Sequence, residues 1–151
     1  MTYVKDIDTA DLTGLEQMRR FQSGALNYQG IGKQLGFEVT EVEEGRVVFS
    51  ATPTEASYNP LGSVHGGYIA TLLDSALDCA IHSSLKPKLG YTTLELKVNY
   101  VRAMSAATGR VQAEGKVVQT GRRAAFAEGK VTDENGRVYA TATATCLVFD
   151  K

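Results

Sequence analysis

The sequence lacks the features that mark several special classes of protein. It has only two cysteines, Cys79 and Cys146, and neither has a CxxC partner. In a chain long enough to build its own core, two cysteines fit reduced thiols better than a disulfide framework. With His65 and His82 they form no metal-ligand spacing, so we expect no metal. The start carries no apolar signal core, and no apolar stretch reaches membrane-spanning length. We therefore expect a soluble, cytoplasmic protein without membrane contact.

An excess of charge of one sign is also absent. Lys and Arg number 16 and Asp and Glu 17, a formal net charge of −1 at pH 7. A near-neutral chain is a poor general binder of polyanions, so nucleic acid is not an expected partner. The content of 43% apolar and 22% charged residues excludes a disordered chain and argues against a coiled coil. No repeat, low-complexity tract or linker divides the chain, so we expect one domain over residues 1–151.

The strongest periodic segment predicts a buried helix over residues 66–84. Its apolar side chains recur at i, i+3, i+4 and i+7 over three turns, and Pro87 ends any continuation. A partial stripe predicts a shorter helix over residues 11–23, and the glycine-rich residues 27–36 predict a loop. We therefore expect residues 1–34 to form an N-terminal helix-and-loop extension.

Alternation with a period of two predicts six strands. Their ranges are 37–54 for the first two, around a turn at Glu44-Gly45, and then 90–100, 108–119, 122–132 and 137–149. Asn135-Gly136 is a hairpin turn signal between the last two. The order helix, two strands, long helix, four strands predicts an α+β fold in which an antiparallel sheet wraps one apolar helix. Small residues alternating along the last strand would let that helix lie close.

The entrance to the long helix is the first candidate for chemistry. Gly66 and Gly67 follow His65 directly and leave backbone N–H groups of the first turn uncovered by side chains. At the positive end of the helix dipole, such groups can polarise a carbonyl and hold the oxyanion of a tetrahedral intermediate. Two glycines are equally typical of a tight turn. His65 lies at the N-cap, where the dipole disfavours a charged imidazole, and a histidine there more often fixes a loop.

Asp74 is the second candidate. It falls at the edge of the apolar stripe, where a carboxylate must be paired, protonated or used. As a general base or nucleophile it could hydrolyse an activated acyl group. The alternative is a structural carboxylate paired with a cation such as Arg102 or Lys97. Asp78, one turn further on, is the position for comparison, and we expect its replacement by Asn to matter much less.

The two candidates are too far apart to act together within one chain. Gly67 and Asp74 are seven residues apart, which is about 10 Å along a helix at 1.5 Å per residue. One reacting carbon should lie about 3 Å from both donor and base. The spacing therefore predicts a homodimer with two shared sites.

Four further residues give weaker signals. The amide of Asn59 could orient water or a carbonyl, although Asn-Pro is also a common turn. The hydroxyl of Thr93 could assist from the next strand, or belong to an ordinary strand residue. Arg122 and Arg123 form a compact basic spot at a turn that could hold phosphates, although such a pair is more often a solvated edge.

Taken together, the pattern Asn59-x5-His65-Gly66-Gly67-x6-Asp74 resembles the hotdog-fold acyl-CoA thioesterases of the phenylacetate-degradation (PaaI-like) group. The strand 93–100 and the ending 139–143 are also similar to that group, and the resemblance extends from about residue 35 to 149. It implies a hotdog fold, in which a curved antiparallel sheet wraps one long central helix, and an assembly of dimers, usually paired into tetramers. The segment before residue 35 matches less well and often shapes the acyl pocket in such folds.

The resemblance also implies roles for single residues. Asp74 would activate water or attack the thioester. The N–H of Gly66, favoured over that of Gly67, would polarise the thioester carbonyl, and this glycine and Asp74 would come from opposite subunits. Asn59 would orient the carbonyl or water, and Thr93 would assist. The remaining assignments are His65 among the catalytic residues, Gly67 in the binding of the acyl-CoA substrate, and Arg122 and Arg123 on the phosphates of coenzyme A. Coenzyme A is then part of an acyl-CoA substrate, and no cofactor is needed.

Three other functions fit the sequence less well. A non-catalytic acyl-CoA binder or sensor on the same fold would not need both Asp74 and Asn59. A hotdog hydratase would need a differently placed His–Asp pair. A structural protein without a ligand would leave the combined motif unexplained.

Overall fold

The computed structural model describes residues 9–26 and 30–151. Helices and strands follow one another in the order α1 (Gly14–Gln22), α2 (Ile31–Gln34), β1 (Glu38–Glu43), β2 (Arg46–Ala51), α3 (Gly66–Ser83), β3 (Leu89–Tyr100), β4 (Val111–Thr120), β5 (Ala124–Asp133) and β6 (Val138–Asp150). Short 3₁₀ turns lie at Glu55–Ser57 and Ala106–Thr108. Within the described ranges, no helix combines the length and apolar character needed to cross a bilayer.

The strands form one antiparallel sheet in the order β1-β2-β4-β5-β6-β3. Both predicted turns are present, with positive φ at Gly45 and Gly136, where glycine avoids a Cβ clash. The strand β3 follows α3 in the chain and has β6 as its single neighbour in this sheet, so it lies at an edge. The predicted α+β architecture, an antiparallel sheet around one long helix, is confirmed.

The helix α3 carries the core because its apolar stripe faces the sheet. Leu72, Leu73, Leu77 and Ile81 are all 0% exposed. The alanines of β6 are buried against the helix, in agreement with the prediction. The backbone of α3 also approaches the backbone of a second strand, β4, very closely. A Cβ built on Gly115 would lie only 2.3 Å from the carbonyl oxygen of Ala76. The close approach of the sheet to the helix at this point therefore depends on glycine.

Two local features differ from the pattern-based predictions. The predicted loop over residues 27–36 contains one helical turn, Ile31–Gln34. In β3 the register shifts between Thr93 and Glu95, because one extra residue is inserted as a bulge. The simple alternation places Leu94 on the same face as Leu96. The bulge instead leaves Leu94 63% exposed and directs Thr93 towards α3.

Candidate active site

The entrance to α3 leaves one backbone donor available. His65 is the N-cap, and its Nδ1 accepts a hydrogen bond from the N–H of Gly67 at 2.9 Å. The hydroxyl of Tyr100 donates to the carbonyl oxygen of Gly66 at 2.9 Å. The N–H of Gly66 has no acceptor in the part of the chain that the structure describes. Gly66 can therefore donate to a ligand, whereas the N–H of Gly67 is already used for capping.

Asn59 organises the turn that leads to this entrance. Its Oδ1 accepts from the backbone N–H groups of Leu61 at 2.9 Å and Ser63 at 3.3 Å. Its Nδ2 donates to the Ser63 hydroxyl at 3.1 Å. The amide oxygen is thus committed to the turn, and only the second Nδ2 hydrogen remains for a ligand.

Asp74 lies half-buried on α3 at the wall of a cavity of about 560 Å³. Its carboxylate accepts no hydrogen bond and forms no ion pair within residues 9–26 and 30–151, so neither Arg102 nor Lys97 pairs with it there. Burial, and then the charge of Asp78, raise the pKa of Asp74 to about 6. A carboxylate without a partner and with that pKa can take up a proton near neutral pH.

The cavity is mainly apolar, and residues of α1, of the segment that follows it and of α2 build one of its walls. Its apolar lining comprises Met18, Phe21, Leu26, Ile31, Phe37 and Phe49. The polar lining includes Gln17 and His82, whose Oε1 and Nε2 lie 3.2 Å apart. Burial, and then the charge of Lys151, lower the pKa of His82 to about 4, so its imidazole is neutral at pH 7.

The pair Gln17–His82 is not among the residues predicted from the sequence. The available signal was the spacing of His82, four residues beyond Asp78 and eight beyond Asp74, which places all three on one face of a helix. The partner on α1 had no signal, because only tertiary packing brings residue 17 to residue 82.

Thr93 contacts the second carboxylate of the cavity and not the first. Its hydroxyl donates to Oδ2 of Asp78 at 2.5 Å, and the thiol of Cys146 donates to Oδ1 at 3.3 Å. Burial raises the pKa of Asp78, and these two hydrogen bonds oppose that shift. The structure therefore brings Asp74, Asp78 and Thr93 to one region.

The basic pair lies at the other end of the helix from the glycines. Arg122 and Arg123 are exposed in the turn between β4 and β5, and the hydroxyls of Ser84 and Thr120 lie 3.0 Å apart beside it. The 18 residues of α3 span about 27 Å. Within one chain, this turn and Gly66 are therefore not brought together.

Gly66 and Asp74 are likewise separated within one chain. They are eight residues apart on one continuous helix, which corresponds to about 12 Å. The described residues also contain no group of three His, Cys, Asp or Glu side chains placed to hold a metal ion.

Comparison with known proteins gives consistent matches. The family model described as Thioesterase superfamily matches residues 61–140. A 1,4-dihydroxy-2-naphthoyl-CoA hydrolase from Listeria monocytogenes is 28% identical over 122 residues, covering 81% of this chain and 98% of the relative. A phenylacetic acid degradation-related protein from Ralstonia eutropha has a TM-score of 0.77 at 26% identity, covering 85% of this chain and 97% of that one. The PaaI protein of E. coli, at 20% identity and a TM-score of 0.78, covering 89% and 96%, shares the fold.

Proposed function

Because this chain belongs to the thioesterase superfamily, we propose that it hydrolyses an acyl-CoA thioester to a free acid and coenzyme A. The hotdog fold implied by the resemblance is confirmed by the family match and by the shared fold of the neighbours. The observation that carries the proposal is Asp74, a half-buried carboxylate at the wall of an apolar cavity with a pKa of about 6.

In the proposed reaction, Asp74 takes a proton from water as the water oxygen attacks the thioester carbon, or attacks that carbon itself. The carbonyl oxygen gains negative charge, which the N–H of Gly66 stabilises at the helix N-terminus. The carbon–sulfur bond then breaks, and the thiolate of coenzyme A leaves and is protonated. When Asp74 is the nucleophile, water hydrolyses the resulting anhydride in a second step.

We propose that each site is shared between two copies of the chain. The separation of about 12 Å between Gly66 and Asp74 is bridged when the donor and the base come from different subunits. The edge strand β3 offers a surface for a second copy, since Leu94, Tyr100 and Val101 on or beside it are 63%, 55% and 59% exposed. The resemblance adds the pairing of two dimers into a tetramer.

The lining of the cavity supports the proposal that the acyl group of the substrate is aromatic. Phe21, Phe37, Phe49 and Tyr91 are among its lining residues, and the relative from Listeria monocytogenes acts on a naphthoyl-CoA. We assign the coenzyme A phosphates to the exposed Arg122 and Arg123. The free thiols of Cys79 and Cys146 fit a reducing compartment, and we place the protein in the cytoplasm.

A thiol-release assay with aryl-, short-chain and long-chain acyl-CoAs tests the proposal. We expect Asp74→Asn to lower kcat/KM about 10²- to 10⁴-fold, as loss of a catalytic base typically does. Asp150→Asn, the same change at an exposed position of β6, is the control and should keep full activity. Wild-type turnover in Asp74→Asn would overturn the assignment of the base. Tight acyl-CoA binding without turnover by the wild type would favour a non-catalytic binder.

A further inference from the structure

Two carboxylates, not one, face the cavity. Asp74 and Asp78 are four residues apart on α3 and both line it. Residues at this spacing have Cβ atoms about 5–6 Å apart on one helix face. Neither carboxylate forms an ion pair within the described ranges. Like charges at this distance, partly removed from water, must influence each other's ionisation.

The two carboxylates have different surroundings. Both oxygens of Asp78 accept hydrogen bonds, one from Thr93 on β3 and one from Cys146 on β6. Those two donors satisfy the ionised form. The oxygens of Asp74 accept no hydrogen bond in the part of the chain described. Burial acts on both groups, but among the described residues only Asp78 has protein donors that stabilise its charge.

The bulge in β3 is what makes this arrangement possible. The register shift between Thr93 and Glu95 lets Thr93 point to α3, while Leu96 and Val98 beyond the bulge also face inward. Without the inserted residue, the inward position of Leu96 would turn Thr93 to the opposite face.

We propose that Asp78 is a positioning residue for the hydrolysis, held ionised by Thr93 and Cys146 so that its negative charge makes Asp74 the stronger base. The inference rests on the proposed function, because it assigns the base to Asp74. The pair then works as two carboxyls whose environments separate their proton affinities, with Asp74 holding the proton to higher pH.

The other groups that line this region do not supply a competing negative charge at neutral pH. On α3, burial raises the pKa of Cys79 to about 12 and lowers that of His82 to about 4. On the sheet, burial raises the pKa of Tyr91 well above its usual range and that of Cys146 to about 12. Lys33 of α2 is the lining cation among the described residues, and its charge opposes the effect of Asp78.

The first test is the pH profile of kcat/KM in Asp78→Asn. The amide can accept from Cys146 through Oδ1 and donate to Thr93 through Nδ2, so the change removes the charge and keeps both contacts. We expect the rising limb, centred near pH 6 in the wild type, to move to lower pH by roughly half a unit to one unit. The plateau should fall several-fold because the base is weaker.

Two changes at Thr93 provide matched variants. Thr93→Val removes the hydroxyl with nearly the same shape, so Asp78 loses a donor and the limb should move in the same direction by a smaller amount. Thr93→Ser keeps the hydroxyl and should retain the wild-type limb. These variants also test the inference when Asp78→Asn does not fold. A wild-type limb in both Asp78→Asn and Thr93→Val, or in Thr93→Val alone when Asp78→Asn is unfolded, would overturn it.

A second readout does not depend on activity. Carboxyl-carbon NMR titration of aspartate-labelled protein reports Asp74 directly, and the signal missing in Asp74→Asn assigns it. We expect that signal to titrate at lower pH in Asp78→Asn than in the wild type. An unchanged midpoint would overturn the inference whether or not the protein is an enzyme. Absence of turnover by the wild type on every acyl-CoA would instead overturn the proposed function and leave this titration as the deciding measurement.

Discussion

Gly66 is the first helical residue of α3, a position where the backbone N–H has no role in the helix itself. Proline is favoured at this position, and the backbone of His65, with φ −62° and ψ 135°, suits a residue that precedes proline. We expect Gly66→Pro to lower kcat about 10²- to 10³-fold, because it removes the proposed oxyanion donor.

Gly66→Ala is the matched control for that change. Both variants add a Cβ about 3.1 Å from the ring of Tyr100, but alanine keeps the N–H. Circular dichroism should show that both variants are folded. Steady-state kinetics should show that Gly66→Ala is much more active than Gly66→Pro. Equal losses in both would assign the defect to the Tyr100 contact and reject the donor.

The raised pKa of Asp74 also predicts that the stability of the folded protein depends on pH. Its pKa is about 6 in the folded chain against 3.8 for the free group, so the native state binds this proton more tightly than the unfolded state does. Stability from this group is fully present below pH 3.8 and is lost as the pH rises through 6. Replacement by Asn should therefore stabilise the protein at pH 8 by on the order of 1 kcal/mol, allowing for partial exposure.

Urea unfolding at pH 4 and pH 8 checks this expectation. The gain in Asp74→Asn should nearly vanish at pH 4, and Asp150→Asn should show none at either pH. A gain of equal size at both values would point to a cause other than the ionisation of Asp74.

At the scale of secondary-structure elements, the contact between α3 and β4 depends on Gly115. A Cβ there would meet the backbone carbonyl of Ala76 at 2.3 Å, and backbone cannot move aside as a flexible side chain can. We expect Gly115→Ala to destabilise the fold by about 1–3 kcal/mol through overpacking.

The control for this change is Gly32→Ala on α2, where the added Cβ would find its nearest neighbour at 3.8 Å. Thermal unfolding of both variants measures the difference. A melting temperature for Gly115→Ala equal to that of Gly32→Ala would contradict the close approach of α3 to β4.

Periodicity predicted these elements well but not their local irregularities. The apolar repeat of α3 and the alternation of the strands follow directly from helix and strand geometry, and the observed bounds agree to within a few residues. The bulge beside Thr93 was not predicted, because an inserted residue does not interrupt the alternation of residue types. The short helix α2 lies in a segment whose glycines indicated a loop.

At the scale of the whole molecule, the shared site can be tested by forming hybrids. Asp74→Asn and Gly66→Pro would each inactivate both sites of their own dimer. In a hybrid dimer, one site carries both changes and the other carries neither. Mixing the two inactive proteins under conditions that exchange subunits should therefore restore up to about half of the wild-type activity per hybrid dimer.

Size-exclusion chromatography with light scattering establishes the oligomer in the same samples. Mixing two copies of the same variant is the control and should restore nothing. Hybrids that form and remain inactive would show that donor and base act within one chain, or that no site is shared.

Local sequence was sufficient for the order of the six strands and the two longer helices, for the capped glycine entrance at His65-Gly66-Gly67 and for Asp74 as the carboxylate at the edge of a buried stripe. These features depend on residues close together in the chain, where spacing translates directly into geometry. Tertiary packing decided three other features. These are the wall that α1 contributes to the cavity, the contact of Gln17 with His82, and the hydrogen bonds from Thr93 and Cys146 to Asp78. Each joins residues at least 15 positions apart, and no local pattern encodes which distant surfaces meet when the sheet closes around its helix.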